Sequence, residues 1–186
     1  MAFSSGEGKG FFKDWIENFA TPQGYEKFLD IGCGAGHYGK ILRTAAVPFA
    51  VVDAVEVFPE YIERHGLKEI YDDIMVRDIR EVYDDIKPYD VMIMGDVLEH
   101  LTKEEAIAVV EGLKIKCCFI WVALPMKIDR SWSYGYDQLE EEWAENEYGR
   151  HLHDWTHAEL LETFKPLWIV PYRMTGAMLI EGDIRL

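Results

Sequence analysis

The stretch Phe28-Leu29-Asp30-Ile31-Gly32-Cys33-Gly34-Ala35-Gly36-His37-Tyr38-Gly39 decides how this chain is read. The apolar run Lys27 to Ile31 predicts a strand, the glycines a tight turn, and Tyr38 to Ala46 a helix that Pro48 closes. Glycines at alternate positions remove Cβ atoms where the chain must turn sharply, and they let a ligand touch the backbone. Gly34, Gly36 and Gly39 also spell GxGxxG, the dinucleotide fingerprint, with Glu56 about 20 residues on as a ribose acid. The glycine spacing by itself carries both readings.

Outward from this turn, apolar runs alternate with helical stretches from residue 12 to 125, the pattern of a parallel sheet with crossover helices. Phe49 to Val57 is apolar apart from Asp53 and Glu56, as expected of a strand covered on both faces. Pro59 opens a helix ending near Gly66. Ile74 to Val76 leads to Asp78, and Tyr89 to Met94 leads to Gly95 and Asp96. Thr102 and Glu105 form a capping box for a helix running to Gly112, and Cys117 to Leu124 is the fifth strand. A last helix, Ala158 to Phe164, precedes runs at Leu167 to Tyr172 and Ala177 to Ile180 that suit a closing hairpin. In open parallel sheets the site lies beyond the carboxyl ends of the strands, so Gly32 to Gly36, Glu56, Asp78 and Asp96 should converge on one crevice.

The whole, 186 residues, fits one domain: an N-terminal helical flap (1–24), a binding core (25–125), a substrate or lid segment (126–157), and the last helix with the hairpin (158–186). With 34 acidic against 19 basic side chains the formal charge is −15, which disfavours a duplex nucleic-acid partner and favours a small molecule. The three cysteines read as reduced thiols, and neither a membrane span nor a signal peptide is visible, so the expected compartment is the cytoplasm. Oligomeric state is not encoded in any feature of the sequence.

Asp30 before the first glycine, together with the later motifs, separates the two readings of the glycine turn. The chain resembles the class I S-adenosylmethionine (SAM)-dependent methyltransferases. Their glycine motif matches Asp30 to Gly36, their second-strand acid Glu56 in Val55-Glu56-Val57-Phe58-Pro59, and their adenine-side acid Asp78 in Val76-Arg77-Asp78-Ile79. Their fourth strand and turn match Tyr89 to Leu101, and a looser match continues at Arg150 to Thr156. The resemblance implies a Rossmann-like α/β fold with about seven mostly parallel strands and a C-terminal antiparallel hairpin. It implies SAM as cofactor and S-adenosylhomocysteine (SAH) as product. Cofactor contacts would come from Asp30, Gly32, Cys33, Gly34, Gly36, Val57, Ile79, Gly95 and Asp96, with Glu56 on the ribose hydroxyls and Asp78 on the adenine amino group. A Pro-Gly-Gly turn frequent before strand five is replaced by Leu113-Lys114-Ile115-Lys116. A nicotinamide-dependent oxidoreductase would leave Asp30, Asp78 and the Asp96 to His100 turn without roles.

Methyl transfer to a hydroxyl needs an in-line nucleophile and a place for its proton. Asp96, Glu99 and His100 are spaced i, i+3, i+4, so in a helical turn they share one face. Three readings compete there. Asp96 and Glu99 form a reciprocal cap; or His100, or His151 from the later segment, serves as general base; or Asp96, Glu99, His100 and His151 hold a divalent metal. The last resembles the small-RNA 3′-terminal 2′-O-methyltransferases and the ubiquinone-pathway O-methyltransferases, whose first acid is Glu where this chain has Asp96. Metal is not the favoured reading. Catalysis is assigned to His100, His151 and Asp96, and acceptor binding to Phe11, Trp15, Trp132, Tyr134 and His153. The expected enzyme is an O-methyltransferase acting on a small molecule. N-methylation, an RNA-terminal enzyme and a non-catalytic SAM-binding protein are the alternatives.

Overall fold

The computed structural model describes residues 6–127, 147–173 and 175–185. Seven strands build one sheet: β1 Lys27–Ile31, β2 Val51–Glu56, β3 Ile74–Val76, β4 Val91–Gly95, β5 Phe119–Pro125, β6 Trp168–Pro171 and β7 Thr175–Glu181. Their order is β3-β2-β1-β4-β5-β7-β6. The first five pair in parallel, whereas β7 runs antiparallel to both β5 and β6. The expected hairpin is therefore present, with its second strand inserted toward the sheet centre. Strand order reverses between β1 and β4, which opens a crevice at their carboxyl ends.

The helices are α1 Lys9–Trp15, α2 His37–Ala45, α3 Glu60–Arg64, α4 Ile79–Val82, α5 Lys103–Lys114 and α6 His157–Phe164. They cover both faces, which is why β4 reads as an unbroken apolar run and β1 as one interrupted within the sheet only by Asp30. Side-chain alternation sorts the core into two layers. Phe28, Ile93 and Trp121 point to the face covered by Phe12, Trp15, Tyr38 and Leu42. Leu29, Met92 and Ile120 point to the other, against Val109, Leu113, Leu160 and Trp155. Each such large side chain stabilises the fold by roughly 1.5–3 kcal/mol through burial.

The Thr102–Glu105 capping box forms, but α5 continues past Gly112 to Lys114. Gly112 is a packing glycine and not a terminator, since a Cβ there would lie 2.4 Å from the Tyr83 ring. No range for α4 is read from the sequence, although Asp78 also reads there as a helix-capping acid; it caps α4 by accepting the Arg80 backbone N–H at 2.9 Å. No helix among the described residues is long and apolar enough to cross a membrane. Of the segment read as a lid, residues 128–146, with Trp132 and Tyr134, lie outside the described residues.

Candidate active site

The glycine turn follows β1 with three left-handed positions, Gly32 (φ 66°), Gly34 (φ 51°) and Gly36 (φ 72°). A side chain is excluded at Gly32 on two counts, because its Cβ would also stand 2.6 Å from Val97 Cγ2. The turn is tied to β2 through the Gly32 N–H on the Val55 carbonyl at 2.8 Å. At the end of β2, Glu56 is buried with one backbone amide on each oxygen: Gly34 N–H donates to Oε2 at 2.8 Å and Phe58 N–H to Oε1 at 2.9 Å. Burial raises its pKa, and these amides oppose the shift. A carboxylate offers about four acceptor sites, so beside the two amides and the weak thiol donor of Cys33 on Oε2 one lone pair remains, on Oε1. Cys33 lies beside it, Sγ 3.9 Å from Oε2, with burial pushing its thiol up.

Asp30 is 1% exposed and accepts the Tyr71 hydroxyl at 2.5 Å, while its Oδ1 has no hydrogen-bond partner. Burial lifts its pKa to about 7 against the pull of Tyr71 and the Gly39 amide, with Glu56 adding to the rise. Gly39 makes room for Tyr71, whose ring would stand 2.4 Å from a Cβ there. Gly95, across the crevice, does the same for the Tyr38 ring at 2.1 Å. Asp78 binds elsewhere. Besides capping α4 it accepts from the Arg80 guanidinium, at 3.0 Å to each oxygen from Nε and 2.5 Å from the terminal nitrogen. Burial would raise its pKa, but Arg80 outweighs burial and lowers it. An adenine amino group at Asp78 must share these acceptors with Arg80. Ile79 is buried behind it, and Val57 is half-buried beside Glu56.

After β4, Asp96 takes a left-handed φ of 57° and donates its N–H to the Ala123 carbonyl at 2.7 Å. Aspartate is one of the residues that tolerate this conformation. The turn that follows, Leu98–His100, is a 3₁₀ turn and not the α-helical turn expected from the i, i+3, i+4 spacing. The reciprocal cap between Asp96 and Glu99 does not form. Glu99 is instead 2% exposed with both oxygens lacking a hydrogen-bond partner, and burial, then the Asp96 charge, push its pKa well up.

His100 and His151 meet edge to face, ring centroids 4.9 Å apart. His100 Nδ1 lies 3.2 Å from the Arg150 carbonyl, which selects the Nδ1–H tautomer and leaves Nε2 as a lone pair. Burial lowers the pKa of both; that of His151 falls to about 4, with His100 contributing. Both imidazoles are therefore neutral at physiological pH. Ligand atoms of Glu99, His100 and His151 lie within 4.8 Å of one another, three of the four residues read as a metal set; Asp96 is not in the cluster.

Two anchors bring the 150–155 segment to this place. The Glu99 carbonyl accepts the N–H of Leu152 at 2.8 Å and of His153 at 3.2 Å, and the Trp155 indole N–H donates to the Leu98 carbonyl at 3.3 Å. Trp155 is wholly buried. His153 turns away from His151, its Nε2 3.2 Å from Glu159 and its ring against Trp155. Sequence reasoning noted Trp155 only as part of a loose match; its size before a capping Thr156 was the available signal.

On the opposite face, Trp15 stacks on Phe19 and meets Phe119 and Trp121, while Phe11 lies against Trp121 and Trp168. At the carboxyl edge α1 presents Lys9, with Nζ 5.4 Å above the Tyr38 ring. That residue escaped the sequence reading, since one lysine opening a helix carries no pattern.

No protein-family model matches the chain, and no curated protein matches it. Solved structures do. An O-methyltransferase family protein from Burkholderia thailandensis superposes with a TM-score of 0.66 at 13% identity, covering 94% of this chain and 56% of its own. The N-terminal domain of EvdMO1 with SAH bound gives 0.67 at 14%, covering 98% and 83%. Magnesium protoporphyrin IX methyltransferase from Synechocystis PCC 6803 with bound SAH gives 0.67 at 16%, covering 95% and 83%. The chain thus spans little more than half the length of the first of these proteins. At such identities the likeness establishes architecture, and the architecture of this chain is that of the Rossmann-like methyltransferases.

Proposed function

We propose that the chain is a SAM-dependent methyltransferase that methylates a hydroxyl oxygen of a small molecule. The observation that carries this reading is Glu56, buried at the end of β2 beside a left-handed glycine turn, with acceptor capacity left on Oε1 and only a weak thiol donor beside the Gly34 amide on Oε2. SAM supplies an electrophilic methyl carbon on a sulfonium. Glu56 would accept both ribose hydroxyls, the backbone from Gly32 to Gly36 would face the amino-acid half, and Val57, Asp78 and Ile79 would flank adenine. Gly95 and Asp96 would close the β4 side. His100 or His151, neutral because burial lowers both, would take the acceptor's proton as the oxygen–methyl bond forms and the sulfur–methyl bond breaks.

A second reading is favoured by a specific observation: the buried carboxylate of Glu99, unpartnered on both oxygens and adjacent to two neutral imidazoles, fits a divalent cation. Glu99, His100 and His151 would hold it, and it would lower the pKa of an acceptor hydroxyl. Calorimetric titration with SAH beside NADH, repeated with Glu56→Ala and with EDTA followed by manganese, tests both. Binding of SAH alone, weakened at least about tenfold by the substitution, supports the proposal. Failure to bind SAH removes it, and manganese binding that survives Glu99→Gln removes the cation site.

A further inference from the structure

α1 carries the ammonium of Lys9 to the carboxyl edge of β1 and β4, over the face of Tyr38, whose ring covers Gly95. Asp96 and Asp30 are among the groups that attract it, and it opposes the protonation of His37, the first residue of α2. Asp30, His37 and Asp96 flank the glycine turn on three sides: the end of β1, the start of α2 and the turn after β4. Lys9 therefore stands at the mouth of the crevice on its β1–β4 side, away from Glu56 at the end of β2.

Its position is fixed from both directions. Upstream, the Glu7 carboxylate accepts the N–H and the hydroxyl of Thr175, each at 3.2 Å. Gly8, at φ 78°, lies under the Tyr172 ring, 3.0 Å from where a Cβ would stand. Downstream, Phe12 packs between Tyr38 and Trp121 at centroid distances of 5.0 and 4.9 Å. Burial lowers the pKa of Lys9 while Asp96 and Asp30 oppose the shift, so the cation is partly stripped of water.

The charges have a chemical reading. Asp30, Glu56 and Asp96 together make the crevice suited to an ammonium and hostile to a carboxylate. A free amino-acid moiety carries both charges, and its carboxylate needs a cation placed beside those acids. We propose that Lys9 pairs with the α-carboxylate of the methionine half of SAM, with Asp96 and Asp30 receiving its α-ammonium. The inference rests on the methyltransferase reading and makes Lys9 a cofactor-positioning residue.

The test uses the full chain and two ligands, SAH and its decarboxylated amine S-adenosyl-3-thiopropylamine, titrated by calorimetry against the unmodified protein, Lys9→Met and Lys9→Arg. A charge-assisted pair predicts that Lys9→Met weakens SAH about 10- to 100-fold and the amine less than about twofold, while Lys9→Arg keeps SAH within about fivefold. Thermal melting of Lys9→Met within about 4 °C of the parent shows that the fold is retained. Equal weakening of both ligands, or of neither, overturns the assignment. If the unmodified protein binds neither ligand, the methyltransferase reading falls and takes this role with it, a result distinct from loss of Lys9 selectivity alone.

Discussion

Glu56 and Glu99 end up almost equally buried, 4% and 2% exposed, yet one holds a backbone amide on each oxygen and the other has no hydrogen-bond partner on either. The first belongs to a region complete in itself: the glycine turn and β2 satisfy each other, and the amides on the carboxylate oppose the rise in pKa that burial causes. The second belongs to a region that carries a free-energy cost in the protein alone, since an unpaired buried carboxyl must protonate or remain unsatisfied. Binding groups can be prepared before a ligand arrives at modest cost. Groups meant for an ion or a proton in transit cannot be saturated in advance without losing their use.

The largest expected effect separates the two regions by stability. Trp155→Ala removes a wholly buried indole and the tie to Leu98, and should cost about 3–5 kcal/mol in urea denaturation. Because it removes one of the two anchors of the 150–155 segment and leaves β1 and β2 intact, SAH affinity at temperatures below melting should change less than about twofold. A comparable loss of SAH affinity would merge the two regions into one. Next, Glu56→Gln should cost about 1.5–3 kcal/mol of SAH binding by calorimetry while manganese binding stays unchanged.

Glu99→Gln sharpens the contrast from the other side. Replacing a buried ionisable carboxyl by a neutral amide removes the cost of burying or protonating it, and should stabilise the ligand-free chain by about 1–3 kcal/mol at pH 7 and abolish manganese binding, read from melts with and without the ion. Asp30 gives a pH signature. Its pKa is raised from 3.8 to about 7 in the fold, so its contribution to stability is complete below about pH 4 and is lost as pH rises through 7. Asp30→Asn should flatten the decline in denaturation midpoint across that window. The smallest effect is a control: Thr102→Ala removes the α5 cap, and should cost about 1 kcal/mol with neither SAH nor manganese binding altered.

The regions also differ in how far sequence revealed them. β1 and β3 were legible at their observed bounds, because an apolar run that ends in glycine or aspartate leaves little freedom of register. Glu56 was legible for the same reason, being the acid that ends the second run. The shape of the Asp96 turn was not, since a left-handed φ of 57° at a non-glycine residue is a backbone choice set by packing against β5, through the Ala123 carbonyl. The competition of Arg80 for Asp78 was hidden because it depends on side-chain placement in a short helix with a weak pattern. The meeting of His100 with His151 could be offered only as one of several pairings, since it is made by contacts between segments remote in sequence.

The hydrogen bond from Trp155 to Leu98 joins residues separated by 57 positions, and the loop between them contains α5 and β5. Closing so long a loop is entropically unfavourable until β5 has docked on β4, so the imidazole pair should assemble late in folding and open early when the chain is heated. A chain caught in that partly open state would keep its glycine turn, and the carboxyl edge would lose its chemistry before it lost its shape.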